Sequence, residues 1–110
     1  MPRYRIGNTE DIPKCGARSV FLNGRRFAVF HLSDGSFHAI ENRCPHKGGP
    51  LSEGIVSGPF VFCPLHDWKI DVTDGRVQAP DRGCVRTFDV EIEGGNVYIR
   101  LDEENWTEAG

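Results

Sequence analysis

The sequence predicts an all-β domain, a small antiparallel sandwich or barrel, and three observations carry that prediction. Short β-branched or aromatic runs recur along the chain, each followed by a Gly-containing turn. No window holds apolar residues at i, i+3, i+4 and i+7 for long enough to make a helix of several turns. Asn23-Gly24, the strongest short hairpin signal, falls between two of the β-rich runs.

Taken in order, one turn of helix is expected near residues 9–12, with Thr9 as its cap. The first strand follows at 18–22, turns at Asn23-Gly24, and returns at 25–32. Ser33-Asp34-Gly35-Ser36 then leads into a strand at 37–41. Strands at 55–57 and 60–63 flank Gly58-Pro59, and runs at 68–72 and 76–78 flank Thr73-Asp74-Gly75. A last pair, 85–91 and 96–101, flanks Glu93-Gly94-Gly95. Closure into a sandwich or barrel would hide the sheet edges. One domain is expected over residues 1–101, followed by an acidic tail, 102–110, that carries Trp106.

Length and charge narrow the function. A chain of 110 residues suits one domain with a modest core, to whose stability a bound metal would add. Net charge is −3 with no run of Lys or Arg, which argues against nucleic acid or an anionic membrane as partner. No apolar stretch approaches the roughly 20 residues that cross a bilayer. Met1-Pro2-Arg3-Tyr4-Arg5-Ile6-Gly7 lacks the apolar core of a secretory signal, so a reducing cytoplasm is expected. In that compartment the four cysteines suit metal binding better than disulfides.

Two segments each pair a Cys with a His in a loop between strands: Cys44-Pro45-His46-Lys47-Gly48-Gly49-Pro50 and Cys63-Pro64-Leu65-His66. Sixteen residues separate His46 from Cys63, and they read as one hairpin that sets the loops side by side. On extended backbone an i, i+2 pair leaves one face of the strand. Pro45 and Pro64 restrict the preceding cysteines to extended conformations and bring no N–H to satisfy. Gly48 and Gly49 can adopt positive φ and turn backbone N–H groups toward sulfur. Two thiolates and two imidazoles suit either one Zn²⁺ or a [2Fe–2S] cluster in which His₂ replaces Cys₂ on one iron. Zinc sites usually pair like with like, whereas each loop here supplies one Cys and one His. Cys44, His46, Cys63 and His66 are therefore the candidate ligands of a mixed-ligand cluster, with zinc as the alternative.

On these residues the chain resembles the Rieske family, from about Tyr4 to Leu101. The resemblance implies that two loops grip the cluster, that a third, proline-bearing loop covers it, and that the histidines face solvent as the electron exit. Gln78-Ala79-Pro80-Asp81 is placed to be the third loop. High-potential members carry an extra, disulfide-bonded Cys in each loop, at positions that correspond to Gly49 and Leu65 here. A Ser that hydrogen-bonds the cluster in those members aligns with Trp68. Their absence implies a potential toward the lower part of the Rieske range of roughly −150 to +300 mV.

Three longer strings look like the small subunit of assimilatory NAD(P)H-dependent nitrite reductase: Cys44-Pro-His-Lys-Gly-Gly-Pro-Leu-Ser-Glu-Gly54, Cys63-Pro-Leu-His-Asp-Trp-Lys-Ile70 and Ala79-Pro-Asp-Arg-Gly-Cys-Val-Arg-Thr87. Ring-hydroxylating dioxygenase ferredoxins more often place Gly where Lys47 and Asp67 stand. The nitrite reductase resemblance implies a partner, a large subunit with FAD, an iron–sulfur centre and sirohaem that reduces nitrite to ammonium. The chain has no flavin or nicotinamide fingerprint and no sirohaem Cys set, so it is expected to pass electrons and not to catalyse alone. A ferredoxin serving an aromatic-ring dioxygenase is the alternative, and a structural zinc or adaptor module is a second.

Cys15 and Cys84 lack ligand spacing and are expected to be ordinary packed thiols. His31 and His38 fall inside expected strands, away from both loops, and read as surface or satisfied core histidines. Trp68 reads as a core anchor, and Lys47 as an exposed cation beside His46 that could meet an acidic partner surface.

Overall fold

The computed structural model describes residues 3–43, 49–65 and 67–101. Its strands are β1 (Arg3–Asn8), β2 (Gly16–Leu22), β3 (Arg25–His31), β4 (Phe37–Glu41), β5 (Ile55–Ser57), β6 (Phe60–Phe62), β7 (Lys69–Asp71), β8 (Thr87–Phe88), β9 (Val90–Glu93) and β10 (Asn96–Arg100). They form three antiparallel sheets in the orders β1-β10-β9, β2-β3-β4-β8 and β5-β6-β7. The all-β expectation is met.

The burial of β3 explains the layering. Its run Phe27-Ala28-Val29-Phe30 is fully buried on both faces, as a central strand requires. Phe27 and Val29 point to one core, where they meet Ile12, Ala39, Ile99 and Leu101. Ala28 and Phe30 point to the other, with Ile40, Leu51, Val61, Cys63 and Ile70. The four-stranded sheet is thus a middle layer. The β1-β10-β9 sheet covers one face, and the β5-β6-β7 sheet covers the other. Cys63 lies in the second core, so the candidate metal centre is built into a hydrophobic layer.

Turns form where the backbone needs residues that tolerate positive φ. Asn23 and Gly24 take φ 51° and 77°, the two left-handed values of a type I′ hairpin turn, and seven ladder pairs follow from Gly16↔His31 to Leu22↔Arg25. Between β3 and β4, the Asp34 carboxylate accepts from the Ser36 N–H at 2.9 Å and from its hydroxyl at 2.6 Å. These hydrogen bonds hold the Asp34 carboxyl below its ordinary pKa.

Four expectations are corrected. β1 was not expected; its alternation of Arg3 and Arg5 with Tyr4 and Ile6 places the apolar pair against the core that contains Phe27. The single helical turn is a 3-10 turn at Thr9–Asp11 whose cap is Asn8, not Thr9, and the Asn8 N–H donates to Asp11 Oδ2 at 2.9 Å. The run 85–91 is two strands, because the chain changes sheets at Asp89. Thr87 and Phe88 pair with β4, Val90 onward pairs with β10, and the Asp89 carbonyl accepts from the Arg100 N–H. Residues 76–78 form no strand; Val77 and Arg76 make isolated bridges to Ile70 and Cys84.

A second 3-10 turn, Leu51–Glu53, was not anticipated. Among the described residues, no helix is long and apolar enough to cross a membrane. The expected acidic tail, 102–110, lies outside the described residues.

Candidate metal centre

Cys44, His46 and His66 lie outside the described residues, and Lys47 does too. Cys63 is described, and it is 1% exposed at the end of β6. Its backbone is held on both sides: the Cys63 N–H donates to the Trp68 carbonyl and the Cys63 carbonyl accepts from the Asp67 N–H, each at 2.9 Å. The second of these closes a tight turn over the segment that contains His66.

That turn puts Asp67 at φ 56°. Only Gly visits the left-handed region freely, and Asp tolerates it better than most because its short carboxylate can bond locally. The position is one where Gly and Asp can each serve. Trp68, half-buried, packs against the core below Cys63, which agrees with its reading as a core anchor.

Gly49 is buried and brings the first loop onto the second. A Cβ placed on it would lie 2.9 Å from Leu65 Cγ and Cδ1 and 3.3 Å from Cys63 Sγ. Gly49 therefore serves by close approach, which a side chain at this position would obstruct. Leu65 stands where a side chain on residue 49 would go, so a glycine–leucine contact joins the loops at the two positions that align with the extra cysteines of high-potential members. Leu65 is itself 51% exposed.

The third segment, Gln78-Ala79-Pro80-Asp81, is tied at its base. The Gln78 N–H donates to the Lys69 carbonyl at 2.8 Å and the Asp81 N–H to the Gln78 carbonyl at 3.2 Å. Ala79 and Pro80 are exposed, and the peptide between them is cis. Gly75 packs its backbone against the segment that leads from here into β8, where a Cβ would overlap the Val85 carbonyl oxygen.

The other singled-out residues fall elsewhere. His31 Nδ1 lies 2.8 Å from the Ile12 carbonyl and its ring stacks on Phe37, while His38 Nε2 lies 3.0 Å from Ser36 Oγ. Both are satisfied locally, as expected. Cys15 and Cys84 are not packed thiols: both are unpaired and exposed. Cys15 sits in a tight turn at φ 64° and Cys84 at a one-residue bridge to Arg76, and neither site has a core to enter.

Residues 2–89 match the Rieske [2Fe–2S] domain family. The chain belongs to that family. The ferredoxin component of a naphthalene 1,2-dioxygenase system from Pseudomonas aeruginosa is 34% identical over 92 residues, 83% of this chain and 88% of that protein. The 3-phenylpropionate/cinnamic acid dioxygenase ferredoxin subunit of Photorhabdus laumondii is 33% identical over 106 residues, 94% of this chain and 99% of that one. The solved structure of a candidate NADH-dependent nitrite reductase small subunit from Mycobacterium tuberculosis superposes with a TM-score of 0.84 at 24% identity, covering 92% and 96% of the two chains, a likeness of fold alone.

This Rieske domain is an electron-transfer protein that binds a [2Fe–2S] cluster. The described residues fit that group. A buried thiol ends β6, and a glycine lies against its sulfur with no side chain between them, which suits a thiolate ligand kept from water.

Proposed function

We propose that Cys44, His46, Cys63 and His66 hold the cluster and that this chain is the electron-carrying small subunit of an assimilatory nitrite reductase. The observation that carries the ligand reading is the meeting of the two loops at Cys63, with Gly49 against its sulfur. Burial of Cys63 in the core keeps water from the sulfur, and the backbone bonds to Trp68 and Asp67 hold it in place. When bound, the cluster supplies a one-electron redox change. The half-exposed Leu65 and the exposed Pro64, beside His66, offer apolar surface to a partner.

The partner reading rests on the string from Cys63 to Ile70, with Asp67 where dioxygenase ferredoxins more often carry Gly. The partner is then the large subunit with FAD, an iron–sulfur centre and sirohaem, in the cytoplasm. A second reading, a ferredoxin feeding an aromatic-ring dioxygenase, is favoured by the two dioxygenase ferredoxins at 34% and 33% identity.

Anaerobic stopped-flow mixing separates the two. The reduced chain should reoxidise rapidly when mixed with a sirohaem nitrite reductase large subunit from the same source, and slowly with a ring-hydroxylating terminal oxygenase. The reverse preference would overturn the nitrite reductase reading and establish the second.

A further inference from the structure

Among the described residues, one polar side chain is buried, that of Asn42, 8% exposed at the end of β4 immediately before the first ligand loop. Both of its side-chain polar groups are hydrogen-bonded. Its Oδ1 accepts from the Ser52 N–H at 2.8 Å, and its Nδ2 donates to Ser52 Oγ at 2.9 Å and to Ser19 Oγ at 3.1 Å. Its own backbone N–H donates to the Arg26 carbonyl at 3.1 Å. A buried amide with every group satisfied is costly to disturb and fixes one arrangement of the segments that it joins.

Those segments are the two ends of the loop that contains Cys44 and His46. The chain leaves β4 at Asn42 and meets it again at Ser52, in the 3-10 turn, so the two Asn42–Ser52 bonds close the loop at its base. From Ser52 the path to Cys63 is short and rigid. Leu51, fully buried, shares a core with Cys63, and the 3-10 turn ends at Gly54, where a Cβ would overlap the Phe62 carbonyl. Phe62 precedes Cys63. On the other side, Glu41 holds the strand that follows the third loop: its carboxylate accepts from the Arg86 N–H at 2.6 Å, and its N–H donates to the Arg86 carbonyl at 3.0 Å.

We infer that Asn42 is a positioning residue for the cluster, which sets the first ligand loop in register with Cys63 and so governs how tightly the iron is held. The inference rests on the ligand assignment proposed above. Without the amide, the loop base opens while the sheets beneath it stay folded, and the cluster is lost from the folded chain and not through global unfolding.

The test measures iron release from the reconstituted full chain to a chelator, well below its melting temperature, with the EPR spectrum of the reduced sample beside it. Asn42→Ala should release iron at least about tenfold faster than wild type and shift or broaden the g values, since it removes three hydrogen bonds at the loop base. Ser52→Ala, which keeps the bond from its N–H to Oδ1, should fall between the two. Asn42→Asp should restore slow release, because both serine hydroxyls can turn and donate to the carboxylate.

Val29→Ala, a cavity in the opposite core, is the control for general destabilisation. It should leave the release rate within about threefold of wild type despite a lower melting temperature. Wild-type release from Asn42→Ala, or equal acceleration by Val29→Ala, would overturn this inference alone. A wild-type chain that takes up no iron would overturn the ligand assignment with it.

Discussion

Gly49 and Leu65 meet beside Cys63, and a methyl group on residue 49 would have to displace the Leu65 side chain and crowd the Cys63 sulfur. Gly49→Ala should therefore cost about 1–3 kcal/mol of holo-protein stability, the usual range for overpacking a tight contact. Because Leu65 is 51% exposed, Leu65→Ala removes the obstacle at little cost of its own, and the double variant should recover most of the loss. Thermal melts of the four proteins in the cycle check this. Additive losses would show that the two loops do not touch in solution. The residue scale was also where the sequence was most legible for chemistry and least legible for environment. The proposed ligand set stands out from residue type and spacing, but the exposure of Cys15 and Cys84 does not, since a thiol reads the same in a core and in a turn. Asn42 went unnoticed for the same reason: a lone amide has no pattern, and its importance comes from Ser19 and Ser52, one of them 23 positions away.

Elements were legible where a turn residue and a period of two coincided. The β2–β3 hairpin and β4 follow from Asn23-Gly24 and from the Asp34 turn. β1 was hidden because its alternation has only two apolar members, Tyr4 and Ile6, and its partner β10 lies at the far end of the chain. The division of 85–91 was hidden because sheet membership is tertiary: nothing in the local sequence says that Phe88 pairs with Ala39 while Val90 pairs with Ile99. Gly75 is the element-scale position most sensitive to change. It has φ 78°, and a Cβ would overlap the Val85 carbonyl, which is backbone and cannot swing aside. Gly75→Ala should cost about 2–5 kcal/mol, combining left-handed strain with overpacking. Urea unfolding of the holo-protein measures it, and a loss below about 1 kcal/mol would contradict the close approach of this turn to the segment between the third loop and β8.

For the whole molecule, three layers and two cores give the cluster a hydrophobic bed on one face of the middle sheet, while the opposite sheet pairs β1 with β10. The outer face of that end sheet is held by exposed ion pairs. The Arg100 guanidinium donates to both Glu91 carboxylate oxygens, at 2.8 and 3.2 Å, which holds the Glu91 carboxyl below its ordinary pKa. Asp34 is lowered as well, through Ser36. A carboxyl with a lower pKa in the folded chain than in the unfolded one stabilises the fold above the unfolded value, roughly 4, and that contribution disappears as pH falls through the folded value. Glu91→Gln and Asp34→Asn should therefore be less stable than wild type near neutral pH and converge with it in acid. The Glu91 effect should shrink in high salt, since the pair is exposed. Urea midpoints across the acid range test this, and a constant difference down to the lowest pH would contradict it.

The central claim, that Cys44, His46, Cys63 and His66 hold a Rieske cluster, is tested most directly by EPR of the anaerobically purified, dithionite-reduced chain, with iron and zinc quantified on the same sample. The predicted result is a rhombic signal whose average g lies well below that of all-Cys ferredoxins, at about two irons per chain, lost when either His46 or His66 is replaced by Ala. Stoichiometric zinc with no such signal, or a signal that survives both replacements, would contradict it.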